Sequence, residues 1–314
     1  DSSTSRGLGD VYKRQTQGIL KDIELAARTC YMSQDKITSD DTSAIQMVKS
    51  LVERKHYAML EFGQNLSFYI EERDMYNIMR FLCNTPAFKT INITNHYEVY
   101  AVSFNPRTAL EILDYIEDIN YNNSIMTFYN SILDNLPAEI CGKREMKERN
   151  YSHLENFDSN IIESLDRISR TVHETKTVRF ITNRGVTHEL VRHRHCSFAQ
   201  QSTRYVEESD ITCIDPVWAD RTPRIEGGKY INFDLIEATI DFESELLNSE
   251  ITYNRLRRFG WQKQQAREIL PNALKTEIVV KCTLNEWKHI FTLRCAKDAH
   301  PEMRNLMIPL NNIM

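Results

Sequence analysis

Between Val186 and Tyr205 the chain reads VTHELVRHRHCSFAQQSTRY. Arg192, His193, Arg194 and Arg204 crowd there against Ser197, Ser202 and Thr203, with Gln200 and Gln201 between them. Guanidinium groups are permanently charged, forked donors, and hydroxyls and backbone N–H groups complete a phosphate's shell, so the combination suits a phosphorylated ligand. Val186, Leu190 and Val191 recur near helical spacing after the Asn183-Arg184-Gly185 turn, which predicts a helix at the start of the stretch. Beyond it Ser, Gln and Thr dominate and no apolar period survives, which reads as a loop.

Local chemistry leaves three other readings open. A basic run is commonly a solvated face. His188, His193, His195 and Cys196 crowd together, which suggests a metal site. The HExxH zinc pattern, however, needs its second histidine four residues after the first, and Arg192 holds that place. His193 stands roughly 140° round a helix from His188, so the two do not share a face. A nucleic-acid patch is the third reading, but a net charge of -5 supplies no broad basic surface.

The elements that must position these residues can be read along the chain. At 314 residues with 41% hydrophobic content there is enough apolar material for a real core. No apolar run approaches the ~18 residues of a membrane span. Seven cysteines form no CxxC pair, which fits free thiols in a reducing cytoplasm. Residues 1–17, opening DSSTSRGLGDVYKRQ, read as a loose or non-native extension without the apolar core of a signal peptide. One domain is then expected over 18–314.

Its elements begin with a helix over 18–33 and a second helix after the capping residues Asp41-Thr42-Ser43, ending near Lys55-His56. A strand follows over 64–70. Residues 71–174 read as an insertion with a helix over 75–82, a hairpin within FKTINITNHYEVYAVSF, helices from Pro106, and a polar surface loop over 141–160. TVRFIT (177–182) is a strand that returns the chain to the core. A connection over 215–228 precedes a long helix over 233–258 and a short one over 262–270. LKTEIVVKCTL is a buried strand, and 285–295 a helix with Trp287, Ile290, Phe291 and Leu293 inward. The tail AHPEMRNLMIPL is a closing helix.

Arg192-His193-Arg194, seven residues, then Ser202 resembles the RHR-x7-S signature of the flavin-dependent thymidylate synthases, and the flanking RGVTHELVRHR and STRY agree. AARTCY resembles that family's first helix, AREILP its second arginine block and LNEWKHIFTLRC its third. His56 and Glu61 hold the places of the family's H-x4-E pair. The resemblance covers about 18–70 and 174–310. It implies an α/β (α+β) domain of the thymidylate-synthase-complementing type, with a mixed sheet flanked by helices. It implies a cytoplasmic homotetramer with sites shared between subunits. It also implies reductive methylation of dUMP to dTMP with methylenetetrahydrofolate and NADPH through FAD, reduced flavin mediating methylene transfer without an enzyme thiolate.

The resemblance assigns the flavin to His56, Ala58, Glu61, Arg192, His193, Arg194, Gln200, Thr283, Asn285 and His289. It assigns the nucleotide to Glu189, Arg192, Gln200, Gln201, Ser202, Thr203, Arg204, Arg267 and Arg294, with Arg294 stabilising charge that develops on the uracil. No metal is implied. Four places depart from the family's pattern: Phe62 stands where a histidine often follows the glutamate, Ala58 where a small hydroxyl residue precedes it, and Thr283 and Asn285 where Asn and Arg are general. On the residues alone, a flavin- or nucleotide-binding protein without turnover and a metal-dependent hydrolase remain alternatives.

Overall fold

The computed structural model describes residues 18–116, 122–146, 155–156, 162 and 165–314. The expected extension over 1–17 and most of the expected surface loop over 141–160 lie outside them. Helix α1 (Ile19–Tyr31) turns Ile23, Ala26 and Ala27 inward, together with one carboxylate, Glu24. That buried charge is satisfied by two hydrogen bonds from Arg28 (3.1 and 3.0 Å) and one from Ser43 Oγ (3.0 Å). Helix α2 (Thr42–Glu53) follows; its N-cap Asp41 makes no side-chain cap bond, and Asp40 receives the Thr42 N–H and hydroxyl instead. After a tight turn at Tyr57–Phe62 come β1 (Leu66–Glu71), α3 (Glu72–Leu82), β2 (Asn92–His96), β3 (Val99–Phe104) and α4 (Pro106–Ile116). Then follow α5 (Asn123–Asn135), α6 (Ala138–Cys141), the two-residue β4 (Glu155–Asn156), α7 (Arg167–His173) and β5 (Thr175–Asn183). The signature stretch supplies α8 (Arg184–Leu190) and β6 (Ser197–Gln200). The chain closes with a small hairpin of β7 (Ile225–Glu226) and β8 (Lys229–Tyr230), then α9 (Phe233–Arg258), α10 (Lys263–Ala266), β9 (Lys275–Thr283), α11 (Leu284–Arg294) and α12 (Pro301–Ile313).

The α+β class is borne out, with the strands divided between antiparallel sheets rather than joined in one mixed sheet. One sheet runs β2-β3-β1-β4 and the other β5-β9-β6. Each has its own core. The first gathers α1, α2, β1 and the elements of 72–141, so the segment read as an insertion shares its interior with the N-terminal helices. The second packs β5, β9, α8, α11 and α12 around Phe180 and Trp287. A small cluster of Ala26, Phe62, Ala199 and Val279 joins them. Phe62, where the family often has a histidine, is thus a core plug and not a surface ligand.

Two local expectations are corrected. SFAQ, read as loop, is the edge strand β6, because β9 supplies hydrogen bonds from Ser197↔Lys281 to Gln200↔Ile278 that four residues of mixed polarity do not advertise. Leu293, expected inward, is 48% exposed. Trp287, Ile290 and Phe291 define the buried face of α11, and one turn further along it lies residue 294.

His173, at the end of α7, is buried with the hydroxyls of Thr94 and Ser103 each 2.8 Å from a ring nitrogen. Burial, reinforced by the nearby His96, pulls its pKa from 6.5 to about 4. Below pH 6.5 the unfolded chain therefore takes up a proton that the folded chain refuses. This group's stabilisation is full above the unfolded value and is lost as pH falls towards about 4, by up to about 3 kcal/mol. Thermal melts from about pH 7 to about pH 4.5 should show the loss, with a shallower acid slope in His173→Gln. Equal slopes for the two proteins would refute it.

Candidate functional site

Strand β5 delivers the chain to Asn183, whose side-chain oxygen accepts from the Val186 N–H (2.8 Å) and starts α8, while its amide donates to Glu302. The helix is short, and the turn after Leu190 swings His193 under the C-terminal end of α11. There the guanidinium of Arg294 gathers three partners. Its Nη2 donates to the Glu189 carbonyl (2.9 Å), its Nη1 to Glu189 Oε2 (3.2 Å) and its Nε to His193 Nε2 (3.0 Å). Arg294 reaches inward because it continues the i, i+3, i+4 face of Trp287, Ile290 and Phe291. Since arginine only donates, His193 Nε2 must be an acceptor, which leaves the ring proton on Nδ1, 3.9 Å from Glu286 Oε1. Burial and the charges of Arg294 and His289 hold the His193 pKa down to about 4, so the ring is neutral at physiological pH. His289 stands edge-on to it, ring centroids 6.0 Å apart.

The structure therefore brings three of the expected residues, Glu189, His193 and Arg294, into one hydrogen-bonded node with His289 beside it. Arg192 and Arg194 flank the buried His193 as exposed cations whose guanidinium groups make no ion pair or hydrogen bond to other described residues. Such charges fit an anionic ligand.

The loop expected to hold phosphate is itself held firmly. Gln200 Nε2 donates to Thr187 Oγ1 (2.9 Å) and Thr276 Oγ1 (3.3 Å), and Gln201 Nε2 to Glu208 Oε1 (3.0 Å). The backbone of Ser202 donates to Cys30 of α1 (3.0 Å). Both glutamines thus use their NH2 groups in shaping the loop. Thr203 is buried, whereas Arg204 is exposed over the ring of Tyr205 (5.2 Å). Arg204 lines an open cleft of about 370 Å³ with Arg257 and Lys263.

One arginine escaped the sequence reading. Arg184, the first residue of α8, has a buried Nη1 with no hydrogen-bond partner. Its surroundings are Glu208, whose pKa burial raises, and Arg267, whose charge works with burial to lower that of Arg184. Arg267 also lies 3.8 Å from Glu268 Oε1, so the free donor of this neighbourhood is the Arg184 Nη1. Its only sequence signal was an arginine in the N-R-G turn.

On the opposite flank, His56 is exposed at the edge of a cleft of about 430 Å³ between α1 and α2, lined also by Arg28, Tyr31, Lys36 and Arg54. Ala58 is exposed. Glu61 accepts from Ser197 Oγ (2.7 Å) and from Arg107 Nη1 (2.6 Å). The Thr283 hydroxyl accepts from the Glu286 N–H (3.2 Å) as the N-cap of α11, and Asn285 lies exposed in that helix's first turn. The cations lining this cleft, Arg28, Lys36 and Arg54, suit an anionic group such as a phosphate.

His193, Glu286 and His289 also bring ligand atoms within 4.8 Å of one another, a grouping different from the histidines crowded in sequence. Glu286 and His289 meet there because they are one helical turn apart. Arg294 already donates to His193 Nε2 and places a positive charge beside the trio, which opposes a second cation there. As for a thiol nucleophile, burial pushes Cys30 and Cys213 up to about 11, and burial with Cys196 pushes Cys282 up as well.

A family model described as thymidylate synthase complementing protein matches residues 130–314. The match starts within the segment read as an insertion and includes the signature, Arg267 and Arg294. Among similar proteins, the flavin-dependent thymidylate synthase of Mycobacterium sp. (strain KMS) is 36% identical over 133 residues, 40% of this chain and 52% of that protein. That of Corynebacterium diphtheriae is 33% identical over 147 residues (43% and 55%). That of Mycobacteroides abscessus is 33% identical over 158 residues (49% and 62%). The chain spans about half the length of the curated relatives it matches.

Proposed function

The chain belongs to the thymidylate synthase complementing protein family, and from that premise we propose that it is a flavin-dependent thymidylate synthase. The reaction is the conversion of dUMP to dTMP, with methylenetetrahydrofolate as carbon donor, NADPH as reductant and FAD as cofactor. The observation that carries this reading is the Arg294–His193–Glu189 node, flanked by the unpaired cations Arg192 and Arg194. Bound flavin would supply the redox chemistry. The chain's own part is to hold it with Arg192, His193, Arg194 and His289 on one side and His56 on the other.

For the nucleotide, Glu189 and Arg294 face the pyrimidine. Ser202, Thr203, Arg204 and Arg267 take the phosphate, and the unpaired Nη1 of Arg184 adds a donor to that set. A donor held in place in advance meets a phosphate with little reorganisation cost. Gln200 and Gln201 act as the loop's frame, and Thr283 and Asn285 present the first turn of α11 to the cofactor.

A shared-site homotetramer accompanies this reading. Phe233, Ile240, Leu247 and Ile251 lie along one side of α9 at successive steps of seven, seven and four, and all are exposed. A helix with such a stripe is stabilised by burial against another subunit. Among the described residues no helix is long and apolar enough to cross a membrane, and a cytoplasmic enzyme is proposed.

Flavin binding tests the assignment directly. Purified protein incubated with FAD and freed of excess ligand should keep the visible absorption of oxidised flavin. FAD at about 100 times its dissociation constant should add about 2.7 kcal/mol of stability, visible as a raised melting temperature. FMN, lacking the second phosphate and the adenosine, should do less. A colourless protein with an unmoved melt would refute the flavin assignment.

A further inference from the structure

Residues 61–65 form a junction that ties three parts of the molecule together. Lys281, inside β9, is only 6% exposed. Its ammonium donates to the Glu61 carbonyl (3.0 Å), the Gly63 carbonyl (2.5 Å) and Asn65 Oδ1 (3.0 Å). A buried ammonium needs every one of its protons matched, and here the acceptors come from alternate residues of one short segment, so a single side chain fixes that segment's path. Burial pulls the Lys281 pKa down to about 8, while Asp22 and Glu61 oppose the shift.

The Glu61 side chain is caught from two further directions. Ser197, the β6 partner of Lys281, donates to Oε2, and Arg107 of α4 donates to Oε1. Arg107 is oriented by Glu111 one turn along (2.9 Å). Space is also tight: a Cβ on Gly63 would stand 2.9 Å from Ile19 and from Pro106, so α1 and the start of α4 close directly on this backbone. Both Glu61 oxygens are engaged within the protein, and its place between β6 and α4 is that of a tie.

We propose that Arg107 and Lys281 are positioning residues that hold the His56–Glu61 turn against the signature strand, so that α4, from the segment read as an insertion, supports the flavin site through Arg107. Lys281 grips the backbone of the turn, Ser197 links it to the signature stretch, and Arg107 neutralises and orients Glu61 from the far side. Together they set the separation between His56 and the Arg192–Arg194 group. This role rests on the flavin reading above.

Arg107 is the residue to vary, since it is half-exposed and belongs to neither core; Lys281→Met serves as a second variant. In the full chain, FAD affinity is titrated for Arg107→Met, Glu61→Gln and the double variant, alongside amide hydrogen exchange of residues 56–65 without flavin. Arg107→Met should weaken FAD binding about tenfold and speed exchange in that segment, and Arg107→Lys should recover part of the affinity. The double variant should bind no worse than the weaker single variant, because both break one tie. Unchanged affinity in Arg107→Met overturns the role, whether or not exchange quickens, and so do additive losses. A wild-type protein that takes up no FAD refutes the flavin reading itself, and is told apart by failing before any substitution is made.

Discussion

Arg294→Ala is expected to lose about 10²–10³-fold in turnover while still binding FAD and showing a smaller change in the Michaelis constant for dUMP. The guanidinium is oriented by Glu189 and His193 before any substrate arrives and still has N–H donors to spare. A cation held in advance where negative charge develops lowers the barrier more than it strengthens ground-state binding. A second readout separates this role from simple packing. Arg294 is one cause of the low His193 pKa, so its removal should raise that value towards the ordinary one, with burial still opposing, as followed by NMR of the ring protons. Cys196→Ser should keep near-normal turnover in the same assay. A Cys196→Ser protein that folded, bound FAD and dUMP, and was nevertheless dead would overturn a mechanism without a thiolate.

Mixing two inactive variants should restore activity. Arg204 lies on an open cleft with Arg257 and Lys263, whereas Arg294 lies with Glu189 and His193, and the two belong to separate clusters of the chain. If a site takes Arg204 from one subunit and Arg294 from another, random mixing of Arg204→Ala and Arg294→Ala chains gives about a quarter of sites both arginines. Each variant alone should show a small residue of wild-type turnover. After co-expression or dissociation and reassembly, the mixture should rise towards about a quarter of wild type. A mixture no more active than the mean of its parents would place both arginines in one chain's site. Masking Phe233, Ile240, Leu247 and Ile251 on α9 should also be what drives the assembly, so polar substitution of that stripe should favour smaller species.

Much of the chain was readable because local periodicity decides it. The long helix α9 was expected over 233–258 and occupies those residues, and the strand expected over 177–182 lies inside β5. The hairpin of 88–104 proved to be β2 and β3, and Pro106 opens α4 as a first-turn proline should. The β6 strand was not readable. Ser197 to Gln200 alternates too briefly to signal a strand, and only the neighbouring β9 converts it into one. Nor was the use of Phe62, which in sequence marks a missing polar contact and in space joins two cores.

What the sequence by itself determined was which side chains carry charge and hydroxyls, and on which helix, strand or turn each of them sits. Arg192-His193-Arg194 and Ser202 could be recognised because they lie close in the chain and their spacing survives without knowledge of the fold. The neutral state of His193 could not, since it depends on burial and on Arg294, 101 residues away. The ties on Glu61 likewise reach it from Arg107, 46 residues on, and from Lys281, 220 residues on. A lysine amid the apolar run of β9 is odd in sequence, but its three acceptors exist only where the turn after α2 crosses that strand. Distance along the chain says nothing about which elements cross, and hydrogen bonds and pKa shifts are set at those crossings, by burial and by groups a few ångströms apart.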